Sequence, residues 1–305
     1  QPDPLYGGWR GGPAYYLHQL AERKRHRPLK RSVAASLFAL SGLICWFGIS
    51  QVVSNSVSEA FANAFSIPPI VTTVALVVIA AGIVLRKNAT VKSLDVIVPI
   101  MAVCYFVMTV FIILRNFTLL PSVFGRIFAE AFGFRQAAAG GFGAVIMNGI
   151  KRGLYSNEAG CGSAPNAAAC ADVSHPVKQG LVQMLSVFID TLLLCTCTAF
   201  MCLCSGVVPT KEAAGAAYVQ ASMQQALGSF GPIFIAVSMS LFAFTTLIGN
   251  YYYCEGCLKY ILKRDPSKAG MTVFRVLASV IVFVGATVSA GLAWDTADML
   301  QATMV

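Results

Sequence analysis

Six long stretches of the chain contain no charged side chain: residues 33–58, 70–85, 96–114, 191–210, 233–254 and 276–294. The fourth extends an apolar run that starts at Leu181. Each is close to the roughly 20 residues that a helix needs to cross a bilayer, although 70–85 is short and must draw on its flanks. The backbone inside lipid has no water to bond, so only helices and closed barrels can cross. These runs are continuously apolar and do not alternate, which selects helices over a barrel. A soluble helical core is the alternative, but 57% of the residues are hydrophobic and only 11% are charged. That is too little polar surface for a water-soluble domain.

The net charge of +9 raises the question of nucleic acid, and its distribution answers it. Arg23, Lys24, Arg25, Arg27, Lys30 and Arg31 directly precede the first run; Arg86, Lys87 and Lys92 follow the second; Lys259, Lys263, Arg264 and Lys268 separate the last two. The alternate connections are poor in Lys and Arg, with none in 59–69 and only Lys211 in 206–231. This is the asymmetry that orients membrane helices. It divides the chain into a cytoplasmic connector, residues 1–32, and a transmembrane body, residues 33–305. To keep the signs alternating, one more crossing must lie between Arg115 and Gly180, which makes about seven. Pro68-Pro69 opens the second crossing, Pro99 is expected to kink the third, and His175-Pro176 forms an inner turn. Short helices are expected outside the membrane at 124–132 and 211–227. The chain starts without Met and stops soon after a span, so it reads as a fragment.

The extra crossing, 140–170, is unlike the others. It runs Gly140-Gly141-Phe142-Gly143 to Lys151-Arg152-Gly153-Leu154-Tyr155-Ser156-Asn157-Glu158-Ala159-Gly160-Cys161-Gly162-Ser163-Ala164-Pro165-Asn166. Polar, non-helical backbone survives at membrane depth only inside protein or beside a watery cavity. Transporters use such breaks: half-helix N-termini face a carboxylate and freed carbonyls hold a cation. The alternative is a plain loop at 151–170. Glu158 is a candidate to pair with Arg152 or Lys151, either functionally or as a structural ion pair. Asp190, with Thr191, offers hard oxygens to Na⁺ or H⁺ inside the next run, or else pairs with a neighbouring helix. Thr245 and Thr246 stand three and four residues after Phe242, so their hydroxyls can converge with its carbonyl as a cation site or bond their own backbone. Trp46, Phe47, Gln51 and Asn55 either line a small pocket or form a packing stripe. Most of the ten cysteines, among them Cys45, Cys104, Cys195, Cys197, Cys202 and Cys204, lie in apolar runs, as packing residues would. Cys254 and Cys257 form a CxxC pair without the second pair or the His that a metal site requires. His18 and His26 fall in the connector and His175 at a turn, so no enzyme-like nucleophile–base set is apparent.

The block 152–167 closely resembles the signature of the alanine or glycine:cation symporter family. His175-Pro176-Val177-Lys178-Gln179-Gly180-Leu181 and Val187-Phe188-Ile189-Asp190-Thr191 resemble it too, as do Gly11-Gly12-Pro13-Ala14-Tyr15-Tyr16 and Ala226-Leu227-Gly228-Ser229-Phe230-Gly231. The resemblance implies an all-α polytopic membrane protein with a leucine-transporter-type fold of two inverted five-helix repeats, here incomplete. It implies symport of alanine or glycine with Na⁺ across the plasma membrane, with no other cofactor and no enzymatic activity. H⁺ coupling is the nearest alternative and a channel a more distant one. Residues 140–170 would be the broken sixth core helix, 33–62 the third, 181–206 the seventh, 233–260 the eighth and 271–294 the ninth. Ser156, Asn157, Glu158, Ala159 and Gly160 would be the unwound stretch at the substrate, faced by Phe47 and Gln51. Thr245, Thr246 and the Phe242 carbonyl would hold one Na⁺, with Asp190 or Thr191 near another. The first and second core helices are missing and the tenth is at most begun at 297–305. The fragment alone is therefore not expected to transport.

Overall fold

The computed structural model describes residues 2–3, 8–9, 11–85, 89–132, 141–158, 161–208, 210, 214–263 and 265–304. Its architecture is helical apart from a two-residue antiparallel ladder, β1 (Pro2–Asp3) with β2 (Gly8–Trp9). The first helix, α1 (Pro13–Arg25), ends at His26, whose left-handed φ of 50° turns the chain out of the helix. Ser32, in extended conformation, then leads into α2 (Val33–Phe65), which Ser66 ends in the same left-handed way. As expected, the helix α3 (Pro69–Leu85) opens at the second proline of the Pro68-Pro69 pair.

Helix α4 (Ala89–Arg115) runs through Pro99. A turn of 3₁₀ helix, Phe117–Leu119, leads into the short α5 (Leu120–Phe132), which covers the outer helix expected at 124–132. The interrupted segment comprises α6 (Gly141–Ser156) and α7 (Ser163–Ala168). His175 caps α8 (Pro176–Cys204) by accepting from the Val177 N–H, and that helix widens into a π-helical stretch at Ile189–Cys195. The chain ends with α9 (Ala216–Leu227), α10 (Phe230–Leu262), α11 (Lys268–Thr287) and α12 (Ala290–Ala302).

The central post is α2, which contacts α1, α3, α9, α10, α11 and α12. Its length explains part of this: 33 residues span about 50 Å, well beyond the hydrocarbon thickness. Its composition explains the rest. Ala35, Ala39, Gly42, Cys45 and Gly48 recur every three or four residues and are all buried. Small side chains at that spacing let helices approach closely where lipid offers no hydrophobic drive between them. Against this stripe lie Cys254 and Cys257 of α10, and the fully buried Trp46 stacks near Tyr253 with ring centres 5.3 Å apart. The two CxxC cysteines are thus part of the apolar core between α2 and α10.

Among the described residues, five helices are long and apolar enough to cross a membrane: Val33–Phe65, Val98–Arg115, Pro176–Cys204, Phe230–Leu262 and Lys268–Thr287. A shorter apolar helix covers Pro69–Ile79. One expected crossing differs in its bounds. The uncharged run 276–294 is not a single helix: α11 stops at Thr287, Val288 is extended, and α12 starts afresh at Ala290. The side chain of Asn55 makes this break possible. Its Nδ2 donates to the carbonyls of Gly285 (3.2 Å) and Val288 (2.7 Å), which the helix end leaves unpaired. Asn55 is therefore a cap for a neighbouring helix. Ser289 leads into α12, which lies on α2 through Ala293, Ala297 and Val52.

Candidate functional site

Helix α6 unravels at the polar block. The Asn157 N–H still reaches the Gly153 carbonyl, but Glu158 takes a left-handed φ of 47°, uncommon for a residue with a side chain. The Cys161 N–H closes a tight turn onto the Glu158 carbonyl at 3.1 Å, Gly162 takes φ 73°, and α7 begins at Ser163. Gly162 has a second reason to be glycine, since a Cβ there would meet Pro13 and Phe38. Gly12 has the same relation to the Asn166 side chain, and Gly11 to Ala169. The Gly-Gly-Pro entrance to α1 is thus seated against the second half of the broken segment. Ala159 and Gly160 lie outside the described residues.

The broken end of α6 meets the π-helical stretch of α8. Thr191 Oγ1 donates to Asn157 Oδ1 at 2.7 Å, and Ser156 Oγ donates to Asp190 Oδ2 at 3.2 Å. Cys195 Sγ lies 3.9 Å from the same carboxylate oxygen. Asn157 Nδ2 donates to the Gly153 carbonyl at 2.9 Å, which fixes which end of its amide faces Thr191. A π turn displaces the usual carbonyl partners, and the Thr196 hydroxyl recovers one of them, donating to the Thr191 carbonyl at 3.2 Å. Such widened turns are frequent at functional sites. Four residues singled out in the sequence, Ser156, Asn157, Asp190 and Thr191, are therefore brought together by direct hydrogen bonds.

Asp190 stands between two cavities. One, of about 550 Å³, is lined by Tyr16, Ser156, Asn157, Glu158, Gln183 and Tyr253 as well as Asp190. The other, of about 950 Å³, adds Ser56, Glu59, Tyr105, Cys195, Phe242 and Trp294. Both fall in the size range of small-molecule sites.

The remaining expected residues lie elsewhere. Thr245 and Thr246 each donate to the Phe242 carbonyl, at 2.7 and 3.1 Å, so the hydroxyls converge on that oxygen as their spacing requires. Of the three, Phe242 lines the larger cavity with Asp190. Phe47 packs against Phe274 of α11, with ring centres 5.9 Å apart, and Gln51 lies against Gly285 of the same helix. Neither is brought to the broken segment.

Arg152 does not pair with Glu158. Its guanidinium binds Asp298 of α12 and lies over the Trp294 ring, 4.6 Å from its centre, with Tyr155 at 5.7 Å. The helix break explains the change: Glu158 sits beyond the end of α6, so it is no longer two turns along the same face. Sequence reasoning missed Asp298, Trp294, Ser56 and Glu59. The available signal was the placement of carboxylates beside apolar residues in 290–302 and at the end of α2.

The arrangement defines a multi-pass helical membrane protein with one interrupted segment, whose break is bonded to a widened turn of the following helix. The chain belongs to the sodium:alanine symporter family, which matches residues 5–305. It is 41% identical over 301 residues to the probable sodium/glutamine symporter GlnT of Bacillus subtilis strain 168, covering 98% of this chain and 60% of that protein. It is 36% identical over 269 residues to the sodium/proton-dependent alanine carrier protein of Bacillus sp. strain PS3, covering 83% of this chain and 60% of the relative. It is also 34% identical over 304 residues to the sodium/alanine symporter AgcS of Methanococcus maripaludis, covering 98% and 65% respectively. The chain thus spans roughly three-fifths of the length of these relatives.

Proposed function

We propose that this chain is the greater part of a secondary transporter that carries a small neutral amino acid, alanine or glycine, together with Na⁺ across the plasma membrane. The observation that supports this best is the junction of the broken end of α6 with the widened turn of α8. It places amide, hydroxyl and carboxylate groups beside cavities of ligand size at a point where the backbone is not helical. Such breaks at the midplane serve substrate and ion together in secondary transporters. The names of the relatives couple sodium to glutamine or alanine.

In this reading the fold is of the leucine-transporter type, with two inverted repeats and about seven crossings in this chain. The segment 140–170 is its sixth core helix, and residues 1–32 face the cytoplasm. Ser156 to Gly160 bind substrate, and Asp190 with Thr191 serves one cation. Thr245, Thr246 and the Phe242 carbonyl serve a second. Phe47 and Gln51 of α2, packed here against α11, would face the substrate from the third core helix. The remaining core helices, the first, the second and most of the tenth, would come from the rest of the protein. Proton coupling is the second reading, favoured by the Asp190 carboxylate and by the sodium/proton-dependent name of one relative.

The test is uptake by the full-length protein in proteoliposomes. Alanine or glycine should accumulate when an inward Na⁺ gradient is imposed. Accumulation indifferent to both Na⁺ and proton gradients refutes symport. Replacing both Thr245 and Thr246 with Val should raise the Na⁺ concentration needed for half-maximal uptake; an unchanged requirement removes those residues from the cation site.

A further inference from the structure

The strongest charge feature of the molecule lies away from the candidate site, on α1 and the link to α2. Residues 13–32 contain six Lys and Arg side chains, Arg23, Lys24, Arg25, Arg27, Lys30 and Arg31, against one carboxylate, Glu22. All six cations are exposed. Glu22 is turned back into the fold: its Oε1 accepts the Leu29 N–H at 2.9 Å and lies 3.4 Å from His18 Nε2. It therefore holds the turn between α1 and the link instead of neutralising the cluster.

This cluster has a fixed position relative to the bilayer. Val33 and Leu37, at the start of the uncharged α2, are exposed, so the apolar outer surface of the bundle begins two residues after Arg31. Helix α1 is pinned to the end of α10, where the Tyr15 hydroxyl donates to the Gly256 carbonyl at 3.3 Å and His18 Nδ1 lies 2.9 Å from the Tyr260 hydroxyl. Exposed Lys263 follows α10 immediately and adds to the same end of the bundle. Helix α1 also carries exposed Tyr16 and Leu20, suited to the boundary between headgroups and acyl chains.

We infer that α1 and the link to α2 form a docking surface for anionic phospholipid headgroups, with Arg23, Lys24, Arg25, Arg27, Lys30 and Arg31 binding their phosphodiesters. The occupant follows from charge and place. Clusters of four to eight Lys and Arg directly beside a membrane helix attract anionic lipid, and the attraction fades within a Debye length of the surface. Lys30 and Arg31 directly precede the start of α2, and α1 is bonded to the end of α10. Because α1 is bonded to α10, lipid held there braces the end of a helix that carries Thr245 and Thr246. This inference is independent of what the protein transports.

The experiment uses the purified full-length protein in neutral detergent, with phosphatidylglycerol or phosphatidylcholine added, and reads bound lipid by native mass spectrometry and the thermal midpoint. Wild type should bind phosphatidylglycerol in preference, with the preference falling as salt rises. The triple variant Arg23→Gln, Lys24→Gln, Arg25→Gln keeps Arg27, Lys30 and Arg31 to orient the first span. It should bind phosphatidylglycerol roughly a hundredfold more weakly. The variant Arg23→Lys, Arg25→Lys should retain wild-type binding. Undiminished preference for phosphatidylglycerol in the triple variant overturns the inference. So does equal protection by millimolar inorganic phosphate, which would point to a free-anion site.

Discussion

The joint between α2 and α11 allows a quantitative prediction at Gly285. A Cβ built on Gly285 would stand 2.7 Å from the Gln51 Cβ and 2.8 Å from its carbonyl oxygen, and closer still to its Cα. Ordinary contact starts near 3.4 Å and the Gln51 Cα would lie about 1 Å inside that limit, so Gly285→Ala must part the helices by about 1 Å. Little can yield, because the obstacle is mostly the backbone of a 33-residue helix in mid-course. Overpacking of this kind costs about 1–3 kcal/mol. The same displacement stretches the Asn55 bond to the Gly285 carbonyl, now 3.2 Å, beyond useful length. Polar bonds between membrane helices contribute about 0.6 kcal/mol on average. The combined loss is therefore about 1.5–3.5 kcal/mol. Titration of micelle-embedded protein with sodium dodecyl sulfate, followed by tryptophan fluorescence, reads it directly. Gly249→Ala is the control, since its Cβ would meet only the Tyr253 hydroxyl at an ordinary 3.6 Å. It should stay within about 0.5 kcal/mol of wild type. If Gly285→Ala unfolds together with Gly249→Ala and wild type, the close approach of α2 and α11 is not as described here.

Other expectations concern the site and the ion pairs. Thr191→Val removes the donor to Asn157 Oδ1 at 2.7 Å and should lower amino-acid uptake by the full-length protein about tenfold, while Thr191→Ser preserves it; radiolabelled uptake decides. The Lys259–Glu255 pair on α10 is 2.7 Å long and both side chains are buried. Lys259→Met alone should destabilise by about 3–5 kcal/mol in the same detergent titration, whereas Lys259→Met with Glu255→Leu should recover most of that loss. Arg152→Lys keeps the charge opposite Asp298 but loses the stack on Trp294, and should destabilise by about 0.5–1 kcal/mol. Reversing the pair, Arg152→Asp with Asp298→Arg, should restore part of what Arg152→Asp alone removes.

The helices were legible in the sequence wherever lipid dictates them. Uncharged runs gave the body of each long helix, and Pro69 and Pro176 marked starts that local chemistry favours. The helix break was legible for the same reason, because Asn157, Glu158 and Gly162 are unsuited to a continuous helix in lipid. Its junction with Asp190 and Thr191 was visible only as two separate oddities. What was not legible depends on partners distant in sequence. Asn55 looks like a pocket residue until α11 is seen to end 230 residues later against it. Phe47 and Gln51 share a helix with Ser56 and Glu59, and hydropathy does not tell which side of α2 faces α11 and which the larger cavity. Arg152 was assigned to the nearest carboxylate in sequence, yet Asp298 reaches it through α12.

The widened turn at Ile189–Cys195 has a consequence for the whole of α8. A π turn accommodates one residue more than an α-helix does, so it sets the angular phase between the two halves of the rod. In its first turn, Asp190 and Thr191 face the broken end of α6; beyond its end, Thr198 meets the Tyr105 hydroxyl at 2.8 Å. Deleting Leu193 would let the hydrogen-bond ladder close as a plain helix and rotate everything beyond it by about 100°. Either Thr198 would leave Tyr105 or Asp190 would leave Ser156. The π turn is thus a phase adjuster that lets one straight helix address two partners out of step with its own period.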